Sequence, residues 1–412
     1  MSHRYHLLFV GLLALMPWAS GSSTYGQSLG PDFDPFGLLE ETQRKRERIA
    51  EGTFGHLFTL VPEQAIIDYA DWNIDLARET GLTYLVYYSS VGQFGSQGPP
   101  QNQTGNGNAN VIFSWGPPGQ TGPIQGGFIF YYLNVGQYGT SGVDFAQSLG
   151  ISSLTSDSTG NADLFRNIAW RQLFADGLID FRIGQVEPAM LFNATPYAND
   201  NRGFVASPLS NEASRTLPAA GVGMTLIGEV IEDVYLGGAI SDANGKGEFL
   251  NFDSFFQGDH MGSAYVAVEP TIGSLGRGKY QVGAHFVEAT DTSPYSRFIG
   301  LNALQAIGQS WDVFAKYNRA DKRTAAIRQS AGGGVVRKGI LGFPEDLIGI
   351  GCSWADPSDS SLRDEYVLES FWRTQLTPLI QITPSVQFWF DPSMTPGDDF
   401  QSVFTIRLLG EF

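Results

Sequence analysis

Residues 380–390 read IQITPSVQFWF, and their order predicts the type of secondary structure in this part of the chain. Its apolar residues recur at alternate positions, Ile380, Ile382, Val386, Phe388 and Phe390, with Gln381, Thr383, Ser385 and Gln387 on the other face. A period of two predicts a β-strand with one apolar and one polar side. A soluble sandwich turns the apolar side inward, whereas an outer-membrane barrel turns it towards lipid and keeps the polar side around a lumen. Both all-β architectures remain open at this point.

The same alternation recurs along most of the chain. In the last strand, Phe404, Ile406 and Leu408 alternate with Thr405 and Arg407. This pattern predicts about sixteen strands, near residues 82–92, 107–116, 122–136, 161–174, 178–186, 219–228, 232–241, 261–272, 278–290, 297–305, 310–319, 328–337, 345–354, 364–376, 380–390 and 400–411.

The connections between these strands alternate between short and long. Tight joins follow residues 174, 272, 305 and 376, whereas the joins after residues 92, 136, 186 and 241 are long and rich in Gly, Asn, Ser and Pro. An up-and-down barrel in the outer membrane is built with short periplasmic turns, longer extracellular loops and an even number of strands. One connection, residues 337–345, is longer than the short turn expected there. The alternation favours an antiparallel transmembrane barrel over a Greek-key sandwich.

The overall composition excludes several functional classes. The formal net charge of −17 argues against nucleic-acid binding, which needs a basic footprint. The single cysteine, Cys352, has strand-spaced apolar neighbours at Ile350 and Trp354, so it is predicted to be a buried or lipid-facing apolar residue. With one cysteine, the chain has no cysteine cluster for zinc or iron–sulfur ligation.

The N-terminal part of the chain differs from the rest. An apolar run between Leu7 and Met16 follows basic residues and precedes small ones, which predicts a secretory signal peptide over residues 1–21. Residues 22–80 are predicted to form a periplasmic or helical segment: residues 38–51 as a charged helix or solvated arm at the surface, and residues 62–80 as a helix. Residues 81–412 are assigned to the outer-membrane barrel.

Charged residues in the middle of strands favour a polar lumen. Lipid contact costs about 2–4 kcal/mol for an Arg or Lys at the membrane midplane, so these residues are expected to face the interior. Guanidinium and carboxylate groups bind sugar hydroxyls, and aromatic rings pack on the apolar face of a sugar. The alternative is that the charges only neutralise one another and tune conductance. The residues assigned on this argument are Arg171, Arg182, Lys316, Glu369, Arg373 and Arg407. Phe371 breaks the alternation of its strand and is a further candidate lining residue.

The sequence offers little support for catalysis. Beyond the signal peptide the histidines are His56, His260 and His285, with no ligand-spaced pair for a metal, and no Gly-x-Ser-x-Gly elbow is present. We therefore expect no enzymatic activity, no catalytic residue, no metal and no cofactor.

Three segments resemble the OprB-type family of carbohydrate-selective porins. They are ESFWRTQLTPLIQITPSVQ (residues 369–387) followed by the terminal Phe412, FRIGQVEP (residues 181–188) and NFDSFFQG (residues 251–258). The resemblance covers most of residues 80–412 and is strongest in the last fifty. It implies a sixteen-stranded outer-membrane barrel through which sugars diffuse.

The resemblance also implies roles for individual residues. Arg182, Glu187, Glu369 and Arg373 lie within the matching segments and are expected to line the pore, whereas Arg171, Lys316 and Arg407 are placed there by the facing argument alone. The terminal Phe412 matches the aromatic end that the barrel assembly machinery recognises.

The sequence therefore predicts a porin for passive, carbohydrate-selective diffusion of small sugars, in the outer membrane of a Gram-negative-type bacterium and as a monomer or homotrimer. The expected partners are carbohydrates, outer-membrane lipid and the assembly machinery. The alternatives are a general or structural outer-membrane porin without sugar preference and a secreted all-β carbohydrate-binding protein.

Overall fold

The structure is a computed structural model that describes residues 38–96, 102–120, 122–156, 160–187, 195–197, 201–215, 217–252, 254–290, 294–321 and 325–412. The expected signal peptide lies outside these residues. The described residues form four α-helices, α1 (Leu38–Ala50), α2 (Glu63–Thr80), α3 (Gly142–Ser148) and α4 (Ser207–Ser210), and one 3-10 turn at Phe255–Gln257. In the described part of the chain, no helix is both long and apolar enough to cross a membrane.

Sixteen long strands and one two-residue strand follow α2. They are β1 (Leu82–Gly95), β2 (Gln103–Trp115), β3 (Gln125–Gly139), β4 (Ala162–Phe174), β5 (Ile179–Val186), β6 (Gly221–Ile231), β7 (Val234–Asp242), β8 (His260–Val268), the short β9 (Thr271–Ile272), β10 (Gly276–Val287), β11 (Ser296–Ile307), β12 (Trp311–Ala320), β13 (Ile327–Ile340), β14 (Phe343–Pro357), β15 (Glu365–Thr377), β16 (Ile380–Phe390) and β17 (Phe400–Glu411). All sixteen predicted strands are confirmed.

Every long strand pairs antiparallel with its neighbour along the chain, and the ring closes between β1 and β17. At the closure, the Phe412 amide donates to the Val86 carbonyl (2.7 Å) and the Val86 amide donates to the Phe412 carbonyl (2.9 Å). The chain terminus is thus part of the ladder. A closed ring has no exposed sheet edge, which is the condition for a sheet to span a bilayer. The predicted transmembrane barrel is confirmed.

The connection between β13 and β14, which was expected to be longer than a short turn, is a tight turn. β13 runs to Ile340 and β14 begins at Phe343, so the turn itself is only Leu341 and Gly342. Both have positive φ, 53° and 87°, as a two-residue type I′ hairpin requires. The expectation of a longer link was wrong because both strands extend further than their apolar pattern indicates.

The two faces of the wall differ as the alternation predicts. Trp372 is 42% exposed and Ile406 is 37% exposed on the outer face, whereas Arg373 and Arg407 are buried on the inner face. Cys352 is exposed on the outer side, beside Ile350. Residues of two long connections pack against the inner face of the wall and cover part of it. The barrel therefore has an apolar outer surface and an interior that is partly filled.

Candidate functional site

Two long connections fold back into the lumen. We call residues 141–156, between β3 and β4, the first inward segment, and the described residues of 195–215, between β5 and β6, the second inward segment. Most of their apolar side chains are buried against inward-facing residues of β12 to β17. The residues in these contacts include Phe145, Leu149, Phe204, Leu209, Phe314, Phe371, Trp389 and Val403. The Phe204 ring meets the Phe371 ring edge-on at 4.9 Å. The lumen is thus narrowed from one side, and Phe371 is inward-facing as its break in pattern indicated.

The first inward segment is fixed by polar contacts to the wall. The Ser141 hydroxyl caps α3 by accepting from the Asp144 amide (2.9 Å), so the chain turns inward as a short helix. Farther along, the Glu365 carboxylate accepts the backbone amides of Ser152 (3.1 Å) and Ser153 (2.7 Å). The side-chain amides of Gln93 and Gln387 both donate to the Thr155 carbonyl.

The second inward segment is held by four of the residues that the sequence singled out. The Glu369 carboxylate accepts the amides of Val205 (2.9 Å) and Ala206 (2.8 Å). The other three are cations that donate to backbone carbonyls: Arg407 to Gly203 (3.2 Å), Arg373 to Arg202 (3.4 Å), and Lys316 to Leu209 (3.3 Å) and Asn211. The carboxylate meets amides and the cations meet carbonyls, so each of these buried charges has a polar partner on the second inward segment.

A second group of predicted residues lies on β4 and β5. Arg171 and Arg182 are paired across the two strands, and both donate to Asp180 Oδ2 at 2.8 Å. One carboxylate shared by two guanidiniums leaves a net positive charge on this side of the lumen. Asp180 itself, an inward residue of β5, was missed in the sequence although it shares the face of Arg182.

A third group centres on Glu187, at the end of β5. Its carboxylate accepts from Arg166 Nε at 2.6 Å. Arg166 also donates to the Tyr131 hydroxyl (3.2 Å) and lies 5.2 Å from the centroid of that ring, and the hydroxyl in turn donates to Asn110 Oδ1 (2.8 Å). An arginine, a carboxylate, an amide and a phenol within one network can bind several hydroxyl groups of a neutral polyol.

Strict alternation hides Arg166. Counting back from Arg171 by twos places Arg166 on the outer face, with Trp170. The ladder between β3 and β4 contains a bulge: Tyr131 pairs with Asn167 and Tyr132 with Phe165, so Arg166 is skipped. The extra residue turns its side chain inward. The available signal was the set of amide side chains at alternate positions of β2, Asn106, Asn108 and Asn110, which face the same part of the lumen.

The helix α1 crosses one end of the lumen. Leu38, at its start, packs on the inward-facing residues Leu85, Tyr87 and Tyr131, whereas Arg48, near its end, forms an ion pair with Glu345 of β14. The expectation that this basic stretch is a solvated surface segment was wrong for Lys45, which is 7% exposed. The buried stripe of Leu38, Thr42, Lys45 and Ile49 has helical spacing and faces the barrel.

The environment of Lys45 is unusual for an amine. Burial lowers its pKa from 10.5 to about 7, against the opposing influence of Glu41 and Glu345, while Arg202 of the second inward segment lowers it further. Arg202 is itself paired with Glu411 of β17. The helix and the second inward segment therefore meet inside the barrel through charged groups.

The seven predicted residues thus lie on the inner side of the barrel in three groups. Lys316, Glu369, Arg373 and Arg407 surround the second inward segment, Arg171 and Arg182 share Asp180, and Glu187 pairs with Arg166. Their contact with a passing solute stays a prediction. Among the described residues, no group of His, Cys, Asp or Glu side chains has the arrangement of a metal site.

Comparison with known proteins identifies this architecture. The family model "Carbohydrate-selective porin, OprB family" matches residues 128–412. Porin AaxA of Chlamydia abortus is 23% identical over 292 residues, covering 68% of this chain and 65% of that protein. Porin AaxA of Chlamydia pneumoniae is 25% identical over 295 residues, covering 69% of this chain and 67% of that protein. The chain thus spans about two thirds of the length of these relatives.

Solved structures show the same fold. The high-pH structure of Pseudomonas putida OprB superposes with a TM-score of 0.69 at 15% identity, covering 84% of this chain and 97% of that one. The low-pH structure of the same protein gives a TM-score of 0.55 at 12% identity and covers 87% and 99%. The family match extends over more than half of the chain and includes β4 to β17, which carry most of the charged groups described above. The chain belongs to the carbohydrate-selective porin family, OprB.

Proposed function

We propose that the protein is an outer-membrane porin through which small sugars diffuse passively, and that the narrowed lumen sets a preference for them. The observation that carries this proposal is the closed sixteen-stranded ring with an apolar outside and an inside of charged and aromatic side chains. A secreted carbohydrate-binding module would not expose residues such as Trp372 and Ile406 to water around its whole circumference. The barrel points to a channel rather than an enzyme.

The groups around the lumen support neutral solutes over ions. Arg166 with Glu187 is a compensated pair, and Asp180 neutralises one of its two arginines, so these groups offer several hydrogen bonds with one net positive charge among them. We assign Arg171, Arg182, Glu187, Lys316, Glu369, Arg373 and Arg407 to this lining, with two tasks. Those around the second inward segment position it, and those on β4 and β5 meet the solute. A general porin without sugar preference is the second candidate, because compensated pairs also tune conductance.

We further infer the organisation of the whole chain and its location. Residues 1–21 are a signal peptide, residues 22–80 a periplasmic segment and residues 81–412 the barrel, in a Gram-negative-type outer membrane. Phe412, which pairs with Val86, is the residue that we infer the assembly machinery recognises. Whether the barrel works as a monomer or a homotrimer follows from cross-linking of the detergent-solubilised protein.

Liposome swelling tests the proposed selectivity directly. Proteoliposomes are compared in isotonic glucose, in a disaccharide and in a neutral amino acid of similar size to glucose. We expect glucose to enter faster than both other solutes. Equal rates for glucose and the amino acid would leave only a general pore, and no swelling in any solute would contradict a channel.

A further inference from the structure

The link between the two N-terminal helices, together with helix α2, presents apolar side chains to the outside. Around the link, Leu57, Phe58, Leu60 and Val61 are 44%, 58%, 70% and 37% exposed, and Trp72 on α2 is 52% exposed. We call these five residues the rim patch. In a water-soluble segment such a run is unfavourable, since full burial of one large apolar side chain is worth about 1.5–3 kcal/mol relative to full exposure. The patch calls for an apolar partner.

The link is fastened to the edge of the barrel wall. The Leu57 amide donates to the Gln375 carbonyl (3.1 Å) and the Phe58 amide donates to the Leu376 carbonyl (2.7 Å), both at the end of β15. The link also lies close to β14, since a Cβ atom added at Gly55 would lie 2.7 Å from Pro344 Cδ. Trp372, which is exposed on the outer face of the wall, precedes this attachment by three residues. The patch therefore begins where the lipid-facing surface of β15 ends.

Helix α2 reaches the outer face at a second place. The Trp72 ring packs edge-on against the Tyr84 ring at 6.4 Å, and the hydroxyls of Tyr69 and Tyr84 share a hydrogen bond. Tyr84 alternates with Leu85, whose side chain faces the lumen, so Tyr84 is on the outer face. Beside it, Phe113 stacks on Phe130 at 4.4 Å. The aromatic surface of the wall thus continues onto α2.

We propose that the rim patch inserts into the periplasmic leaflet of the outer membrane, with phospholipid as its partner, and that it anchors helices α1 and α2 at the membrane. Aromatic and aliphatic residues at the rim of a barrel occupy the interfacial zone, where rings tolerate both headgroups and acyl chains. The five residues of the rim patch carry no charge, so the proposed insertion does not depend on attraction to anionic headgroups. The contact is apolar and continuous with the wall. This proposal rests on the outer-membrane barrel, but not on sugar selectivity.

Fluorescence quenching by brominated phosphatidylcholine tests the proposal on the full chain. The exposed Cys352 is first replaced, Cys352→Ala, and one cysteine is then introduced by Leu60→Cys and labelled with an environment-sensitive dye. Phe404→Cys, on the lipid-facing wall, is the positive control, and Glu47→Cys, on the exposed side of α1, is the negative control. We expect quenching at position 60 to be at least half of that at position 404, and little quenching at position 47.

Each other outcome has a defined meaning. Quenching at position 404 but not at position 60 overturns the proposal, leaves the barrel intact and makes a periplasmic protein the occupant of the patch. Absence of quenching at all three positions contradicts the membrane barrel and this inference together. The rate of swelling in glucose, measured on the same labelled Leu60→Cys protein, should equal that of the unlabelled chain. That result would show that membrane anchoring of the helices is independent of transport.

Discussion

Arg166 is the most exposed of the three arginines on β4 and β5. Its side chain is 30% exposed, compared with 11% for Arg171 and for Arg182. It is also the partner that neutralises Glu187, whose side chain is 10% exposed. The charge balance around Glu187 therefore depends on the guanidinium of Arg166.

Replacement of Arg166 by Gln should make the channel more cation-selective. The change leaves Glu187 without its partner, and a unit charge a few ångströms from the path of an ion is worth about 1 kcal/mol in watery surroundings. That corresponds to about a fivefold rise in the cation-to-anion permeability ratio, measured from reversal potentials in planar bilayers. Arg297→Gln removes an exposed charge at the start of β11 and serves as the control. Equal reversal potentials in the two variants would place Arg166 off the pathway.

The buried amine of Lys45 makes the docking of α1 against the barrel depend on pH. In the docked helix its pKa is about 7, lowered chiefly by burial, whereas a solvated lysine keeps 10.5. The undocked helix therefore binds more protons between these values, and docking strengthens as pH rises through this window, by at most about tenfold per pH unit. Below about pH 7 both forms are protonated and the dependence disappears. Glu41 and Glu345 oppose the shift and Arg202 adds to it.

The measurement is the labelling rate of a cysteine at the buried position Thr42, in a Cys352→Ala background. Labelling should slow between pH 7 and 8.5, after correction for thiol ionisation with an exposed control at Glu47. The further change Lys45→Met keeps the length of the side chain without its amine. It should remove the pH dependence, and a slope that persists would assign the effect to another group.

The Glu369 carboxylate holds the second inward segment against the barrel wall. Without its carboxylate, the amides of Val205 and Ala206 are buried without their acceptor, at a cost of about 1–3 kcal/mol for each group left unsatisfied. Glu369→Leu should therefore loosen the segment and admit disaccharides. Glu369→Gln, which keeps one acceptor oxygen, should have a smaller effect. The assay is liposome swelling with a disaccharide; unchanged exclusion in Glu369→Leu would show that other contacts suffice to hold the segment.

Helix α1 limits the opening at its end of the barrel, because it runs from the side of β1 to β3 across to β14. Deletion of residues 38–50 should raise single-channel conductance, with the strands themselves unaffected in circular dichroism. The double variant Arg44→Ala and Glu47→Ala alters the exposed side of the helix and is the matched control. Equal conductance of the deletion variant and the intact chain would mean that ions already pass beside the helix.

The strands were predictable from the sequence because each one carries its own alternating pattern, whereas the filling of the lumen was not. The contacts of Glu369 with Val205, and of Arg407 with Gly203, join residues more than 160 positions apart. No local pattern encodes such contacts, so alternation predicts which way these charges face but not which residues they contact. Arg166 was hidden by a bulge, and Lys45 by a charged helix whose burial depends on the barrel around it. Local periodicity thus predicts the wall, and long-range packing determines the site.

Across the whole barrel, charged side chains are buried in the interior and large apolar side chains are exposed on the outer surface. Its fully buried side chains include Arg407 as well as Trp389, and its outer surface carries exposed Leu408 and Phe404. The formal charge of −17 does not describe the lumen, where cations of the wall meet backbone carbonyls and carboxylates. Stability in a bilayer then depends on which face of a strand receives a charge, and at what depth.

This dependence can be tested on β17 alone. Ile406 is an outward residue in the middle of the strand, and Phe400 is an outward residue at its start. Arginine at the membrane midplane costs about 2–4 kcal/mol, but only about 0–1 kcal/mol near the interface. Ile406→Arg should therefore lower the free energy of unfolding much more than Phe400→Arg, measured by urea denaturation of the barrel in phospholipid vesicles. Equal losses for the two variants would mean that the outer face of β17 does not cross a hydrocarbon layer, and the assignment of its apolar side to lipid would fail.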